Sequence, residues 1–105
     1  MKEITVKELK SKLDNKEPFQ LIDVREKYEY DIANINGELI PMGELVGSID
    51  KISKDKPVII HCRSGGRSAA VIEQLEKRYN YTNLYNLKGG ILAYADEIDP
   101  SLTKY

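Results

Sequence analysis

The chain has very few of the residues that carry most metal and redox chemistry. Among 105 residues there is one cysteine, Cys62, and one histidine, His61. A lone cysteine excludes an internal disulfide and a Cys-x-x-Cys redox pair, and it leaves no structural zinc cluster. No metal or cofactor is therefore expected. Neither sign of charge dominates: 16 Lys and Arg against 17 Asp and Glu give a formal net charge of −1. That balance argues against nucleic acid as a partner, which calls for a basic excess. Long apolar runs are also missing. The opening MKEITVKELKSKL reads neither as a secretory signal nor as a membrane span. A free thiol without an export signal points to a reducing cytoplasm. No repeat or linker divides the chain, and its length suits one small domain over residues 1–105. What is present is 41% hydrophobic and 31% charged residues, enough apolar material for one core.

Strand-like and helix-like segments alternate along the chain. Thr5-x-x-Glu8 is a capping box, and Val6, Leu9 and Leu13 follow at helical spacing until Asp14-Asn15. Phe19 to Val24 is a short apolar strand that includes Asp23, and Glu26 to Asp31 is a surface helix. Leu39-Ile40-Pro41 is a brief strand, and Met42 to Ile52 carries a weak helical pattern broken by Gly43 and Gly47. Pro57 to His61 is the clearest strand, with the continuous apolar character of a strand covered on both faces. A helix follows Gly66 and runs to Tyr79, with Val71, Ile72, Leu75 and Tyr79 on one stripe. Leu84 to Leu87 is a strand, Gly89-Gly90 a turn, Ile91 to Glu97 a helix, and Ile98 to Tyr105 an irregular tail. The seven tyrosines are expected mostly as half-buried packing residues. This alternation implies an α/β fold with a mainly parallel sheet and helices on both faces.

The segment Cys62-Arg63-Ser64-Gly65-Gly66-Arg67-Ser68 joins the best strand to the best helix. In open parallel sheets, ligands bind beyond the carboxyl ends of strands. The helix that follows aims its free N–H groups and positive dipole end at this loop. Ser64, Gly65 and Gly66 are small enough for the backbone to curl its amides inward. Arg63 and Arg67 add permanent charge. All of these favour a thiolate at Cys62, so Cys62 reads as a nucleophile and residues 63–67 as an anion cradle. His61 invites a Cys–His dyad, but adjacent strand residues point to opposite faces, so His61 is expected to pack against a neighbouring element instead.

Together with Leu21-Ile22-Asp23-Val24-Arg25-Glu26, Glu29-Tyr30, Ile35-x-Gly37, Ile40-Pro41 and Asn86-Leu87-x-Gly89-Gly90-Ile91, this loop resembles the rhodanese family of sulfurtransferases. The likeness covers nearly the whole chain. From Gly89 through Asp99-Pro100 to Tyr105 it is similar to the rhodanese domain of adenylyltransferase-sulfurtransferases of molybdopterin and thiamine synthesis. The resemblance implies a rhodanese-like sheet of about five strands. It also implies a thiosulfate sulfurtransferase activity that carries sulfane sulfur as a persulfide on Cys62. Cradle residues would be Arg63, Ser64, Gly65, Gly66 and Arg67, supported by Asp23, Arg25 and Ser68. Partners would be a small anionic sulfur donor and a thiol or sulfur-acceptor protein, with no nucleic acid and no membrane. The chain has Ala33-Asn34-Ile35 where the family often has Gly-His-Ile, and Glu38 where Ala follows the glycine. A cysteine phosphatase is the nearest rival. It needs five residues between Cys and Arg, whereas here there are four and the fifth place is followed by Ser68.

Overall fold

The computed structural model describes residues 1–105. In chain order the elements are β1 (Glu3–Ile4), α1 (Val6–Asp14), β2 (Gln20–Asp23), α2 (Lys27–Ile32), β3 (Glu38–Leu39), two 3-10 segments (Met42–Glu44 and Val46–Lys51), β4 (Val58–His61), α3 (Gly66–Tyr79), β5 (Leu84–Leu87) and α4 (Gly90–Glu97). The strands form one sheet in the order β1-β5-β4-β2-β3, and every pairing is parallel. Central β4 is buried at all four residues. That burial explains why its sequence is apolar throughout rather than alternating.

The two faces of the sheet are covered by different elements. Ile22, Ile60 and Leu84 pack with Val71, Ile72 and Leu75 of α3 and with Leu45 and Ile52, which flank the second 3-10 segment. Ile59 and Leu87 pack with Val6 and Leu9 of α1 and with Ile91 and Tyr94 of α4. Alternation along β4 therefore sends Val58, Ile60 and Cys62 to the α3 face and Ile59 to the other.

Local chemistry sets the ends of the helices. Thr5 accepts from the Glu8 amide at 3.1 Å and Glu8 accepts from the Thr5 amide at 3.0 Å, the reciprocal pair that the T-x-x-E pattern predicts. Such a cap contributes about 1 kcal/mol. Helix α3 starts after Gly65 at φ +110° and stops at left-handed Asn80, with Lys77 and Arg78 in its negative last turn. No helix is long and apolar enough to cross a membrane.

Three segments differ from the sequence-based expectation. Residues 3–4 form a two-residue edge strand on β5, where only a helix and its cap stand out in the sequence. The expected strand at Leu39-Ile40-Pro41 ends at Leu39 in the ladder, although the Ile40 amide still bonds to the Asp23 carbonyl at 2.9 Å. Residues 42–52 form 3-10 turns rather than an α-helix, with a break at Ser48. Gly43 and Gly47 have nothing within 4 Å of where a Cβ would sit. Packing does not require them, and they weaken the helix.

Candidate active site

Strand order reverses between β2 and β4: the chain leaves β2 towards β3 on one side and leaves β4 towards β5 on the other. The crevice at their carboxyl ends is the ligand position of such sheets. Cys62 follows β4 there, and Asp23 and Arg25 end and follow β2. The Cys62 residue is 1% exposed, beneath a loop whose crest at Ser64 and Gly66 is open to solvent. The Gly65 amide donates to Cys62 Sγ at 3.1 Å and the Ser68 amide at 3.5 Å, while Ser68 Oγ lies 3.4 Å from the sulfur. Burial pushes the thiol pKa up. The amides of Ser68, Gly65 and Ser64, together with the Ser68 hydroxyl when its proton turns to the sulfur, outweigh it, so the net direction is below the ordinary value.

The amides face the sulfur because the carbonyls are held elsewhere. At the N-terminus of α4, the Ile91 amide bonds to the Cys62 carbonyl at 3.0 Å and the Leu92 amide to the Arg63 carbonyl at 3.1 Å. Gly90 makes that approach possible: it sits at φ +61°, and a Cβ there would lie 2.4 Å from the Arg63 oxygen. The glycine pair is thus part of the cradle, although it is some 25 residues away in sequence. From β5, Asn86 Nδ2 donates to the Gly65 carbonyl at 3.2 Å, and Asn86 Oδ1 accepts from Ser68 Oγ at 2.6 Å.

The three guanidinium groups near the loop do different things. Arg25 is fully buried. It grips Asp23 at 2.6 Å and donates to the carbonyls of Glu29 and Ala33 and to the Tyr105 hydroxyl. Arg67 makes a two-pronged ion pair with Glu29 at 2.6 and 2.8 Å. The Arg67 hydrogen bonds hold the Glu29 carboxyl at about 2, against the opposing effect of burial. Arg63 pairs with no Asp or Glu side chain. It stacks on the Tyr105 ring at 5.1 Å and donates to the Tyr105 backbone oxygen. Arg63 is therefore the one of the three not paired with an acidic side chain, whereas the sequence suggests two such free arginines. His61 is fully buried, with Nδ1 3.3 Å from the Cys62 carbonyl and Nε2 3.6 Å from Asp23 Oδ2. Burial lowers its pKa and keeps it neutral.

Comparison with known proteins agrees with this geometry. Residues 5–97 match the family described as "Rhodanese-like domain". The chain belongs to the rhodanese family. It is 35% identical over 106 residues to the probable adenylyltransferase/sulfurtransferase MoeZ of Mycobacterium tuberculosis, covering 97% of this chain and 26% of that protein. It is also 35% identical over 98 residues to the adenylyltransferase and sulfurtransferase UBA4 of Eremothecium gossypii, covering 83% and 22%. The chain thus spans about a quarter of the length of these curated relatives. Among solved structures, a rhodanese-like domain protein from Staphylococcus aureus superposes with a TM-score of 0.83 at 39% identity, covering 93% of this chain and 95% of that one.

The α/β architecture and five-stranded parallel sheet are those of rhodanese structures. Where the rhodanese pattern has Gly-His, Asn34 donates to the Tyr30 carbonyl at 3.1 Å and accepts from the Asn36 amide at 3.0 Å. It closes the turn after α2 on its own. Three residues acquire contacts at the site that the sequence does not announce. Glu29 neutralises Arg67, Asn86 holds the cradle from behind, and Tyr105 joins Arg25, Glu29 and Arg63. Glu29 and Asn86 lie within the family-like motifs, yet nothing in their spacing tells which side chain they meet. A groove lined by residues such as Lys12, Phe19, Gln20 and Lys51 includes no residue of the Cys62 loop.

Proposed function

We propose that this chain is a sulfurtransferase that carries sulfane sulfur as a persulfide on Cys62. The donor is thiosulfate or a similar small anion, and the acceptor is cyanide, a thiol or a sulfur-acceptor protein. One observation carries the reading: the amides of Gly65 and Ser68 converge on a single buried sulfur, and no second thiol shares the loop. The adenylyltransferase-sulfurtransferase names of MoeZ and UBA4 support the same chemistry. A lone thiol that must stay free suits a reducing cytoplasm.

The thiolate attacks the outer sulfur of thiosulfate. A new S–S bond forms at Cys62 Sγ, the S–S bond of thiosulfate breaks, and sulfite leaves with the electron pair. The negative charge now rests on the outer sulfur. A nucleophile such as cyanide attacks that atom, thiocyanate departs, and the Cys62 thiolate is restored to the Gly65 and Ser68 amides. Arg63, paired with no acidic side chain, is the residue we assign to attract the anionic donor. Arg67 braces the loop through Glu29. Asp23 and Arg25 fix the floor of the crevice.

The test is intact-mass analysis after thiosulfate treatment without reductant, together with a thiosulfate:cyanide assay. Wild type is expected to gain one sulfur atom and produce thiocyanate, and Cys62→Ser to do neither. Hydrolysis of an aryl phosphate with no sulfur uptake would overturn the reading in favour of a phosphatase.

A further inference from the structure

Asn86 is an unusual residue for its position. It lies on β5 between β1 and β4, is 5% exposed, and shares the sheet face that elsewhere presents Leu84 and Ile60 to α3. Its amide orientation is fixed by valence. Nδ2 faces the Gly65 carbonyl at 3.2 Å, because the opposite orientation would set two oxygens against each other. Oδ1 therefore faces Ser68 Oγ at 2.6 Å, and two oxygens that close need a proton between them. Ser68 has only one hydroxyl proton to give. While it points at Asn86, the side of Ser68 Oγ facing Cys62 Sγ, 3.4 Å away, is a lone pair. That arrangement accepts an S–H and opposes an S⁻.

We propose that Asn86 is a positioning residue that restrains ionisation of Cys62 by competing with the sulfur for the Ser68 hydroxyl proton. When the thiolate forms, the Ser68 hydroxyl turns to the charged sulfur and Asn86 Oδ1 loses its partner inside the protein. Two amides, Gly65 and Ser68, favour the thiolate throughout; the hydroxyl is the one donor that can be withdrawn. Removing the Asn86 oxygen leaves Ser68 with two remaining acceptors, the sulfur and the Gly65 carbonyl at 3.2 Å. That carbonyl already accepts from the Ala69 amide, and a charged sulfur is the stronger acceptor. The titratable and charged groups around the loop are Arg63, Arg67 with Glu29, Arg25 with Asp23, His61 and Tyr105. None of them touches the Ser68 hydroxyl, and all are retained in the variants below.

The inference deepens the sulfur-carrier reading, and its test needs no sulfur transfer. The pH dependence of iodoacetamide alkylation of Cys62 is measured on the full chain for wild type, Asn86→Leu, Ser68→Ala and the double variant. Asn86→Leu is expected to move the midpoint down by about one pH unit, the size of one hydrogen bond to a charged group. Ser68→Ala is expected to move it up, and the double variant to match Ser68→Ala alone. A purely structural role for Asn86 would not vanish in the Ser68→Ala background. An unchanged or raised midpoint in Asn86→Leu, or the same shift with and without Ser68, overturns the proposal. Should leucine prevent folding, Asn86→Ala gives the same readout. If alkylation behaves as expected but thiosulfate leaves no sulfur on Cys62, the carrier reading fails and this one stands.

Discussion

Arg67 and Glu29 meet fork to fork across the gap between α3 and α2, at 2.6 and 2.8 Å, with the Glu29 side chain 4% exposed and that of Arg67 37%. The pair turns what looks in the sequence like a free anion-binding arginine into a brace. Removing one partner strands the other. Arg67→Met is expected to cost about 2–4 kcal/mol, because it leaves a buried carboxylate unpaired, and Glu29→Gln rather less, because Arg67 can turn to water. Urea denaturation of the two variants measures the difference. Equal, small losses would mean that the pair is no more than a surface ion pair.

The loop's hydrogen bonds bear on the ionisation of Cys62. Its thiol lies below the ordinary value because hydrogen bonds outweigh burial. The wild-type alkylation profile is expected to show a midpoint below the ~8.5 of an unperturbed cysteine. A midpoint at or above that of a model thiol would mean that burial governs the site.

Two glycines provide a matched comparison. Gly90→Ala would put a methyl 2.4 Å from the Arg63 oxygen at φ +61°. It should therefore destabilise the protein by about 2 kcal/mol or more and slow sulfur uptake by Cys62. Gly43→Ala meets nothing. It should be neutral or stabilising by up to about 1 kcal/mol through the unfolded chain. Thermal melts and intact-mass sulfur uptake on the pair read both effects.

Arg63 and Tyr105 make a kinetic prediction. Arg63→Gln removes the guanidinium beside the loop that pairs with no acidic side chain and is expected to raise KM for thiosulfate about tenfold, the value of one good charged contact, with kcat less affected. Tyr105→Phe deletes the hydroxyl that bonds to Arg25 and Glu29 but keeps the ring under Arg63. It should lower stability by about 1–2 kcal/mol and leave KM near wild type. A large KM effect in Tyr105→Phe would place the hydroxyl, rather than the ring, in donor binding.

Acid stability has two stages. Burial lowers the His61 pKa, so the unfolded chain binds a proton there first. That contribution is complete above the ordinary value of 6.5 and erodes as pH falls below it. Glu29, held at about 2 from an ordinary 4.5, contributes fully above 4.5 and loses its contribution as pH falls towards 2. Urea midpoints against pH should therefore show an upper limb that disappears in His61→Leu and a lower limb that disappears in Glu29→Gln.

Much of the sheet and the loop was legible because local chemistry determines both. The Thr5–Glu8 box, the apolar run of β4 and the Gly66–Tyr79 helix all act over a few residues. The curl of residues 62–68 follows from small side chains at a helix start. Strand β1 is not legible because two residues, Glu3 and Ile4, carry no pattern; pairing with β5 across more than 80 residues of chain makes them a strand. The contacts of Glu29 and Tyr105 are hidden for the same reason: their partners Arg67 and Arg25 lie 38 and 80 residues away. Arg67 was legible as a charge in the loop, but its neutralisation was not, because that depends on where α2 settles after β2.

The bonds from α4 to the Cys62 and Arg63 carbonyls have a consequence for motion. Amides that share a lock should open together, so deuterium uptake at Ile91 and Leu92 should follow the same rate as uptake at Gly65 and Ser68. On the sulfur-carrier reading, transfer from Cys62 would then be paced by the fourth helix. That would make a short stretch near the end of the chain the timekeeper for an atom attached at its middle.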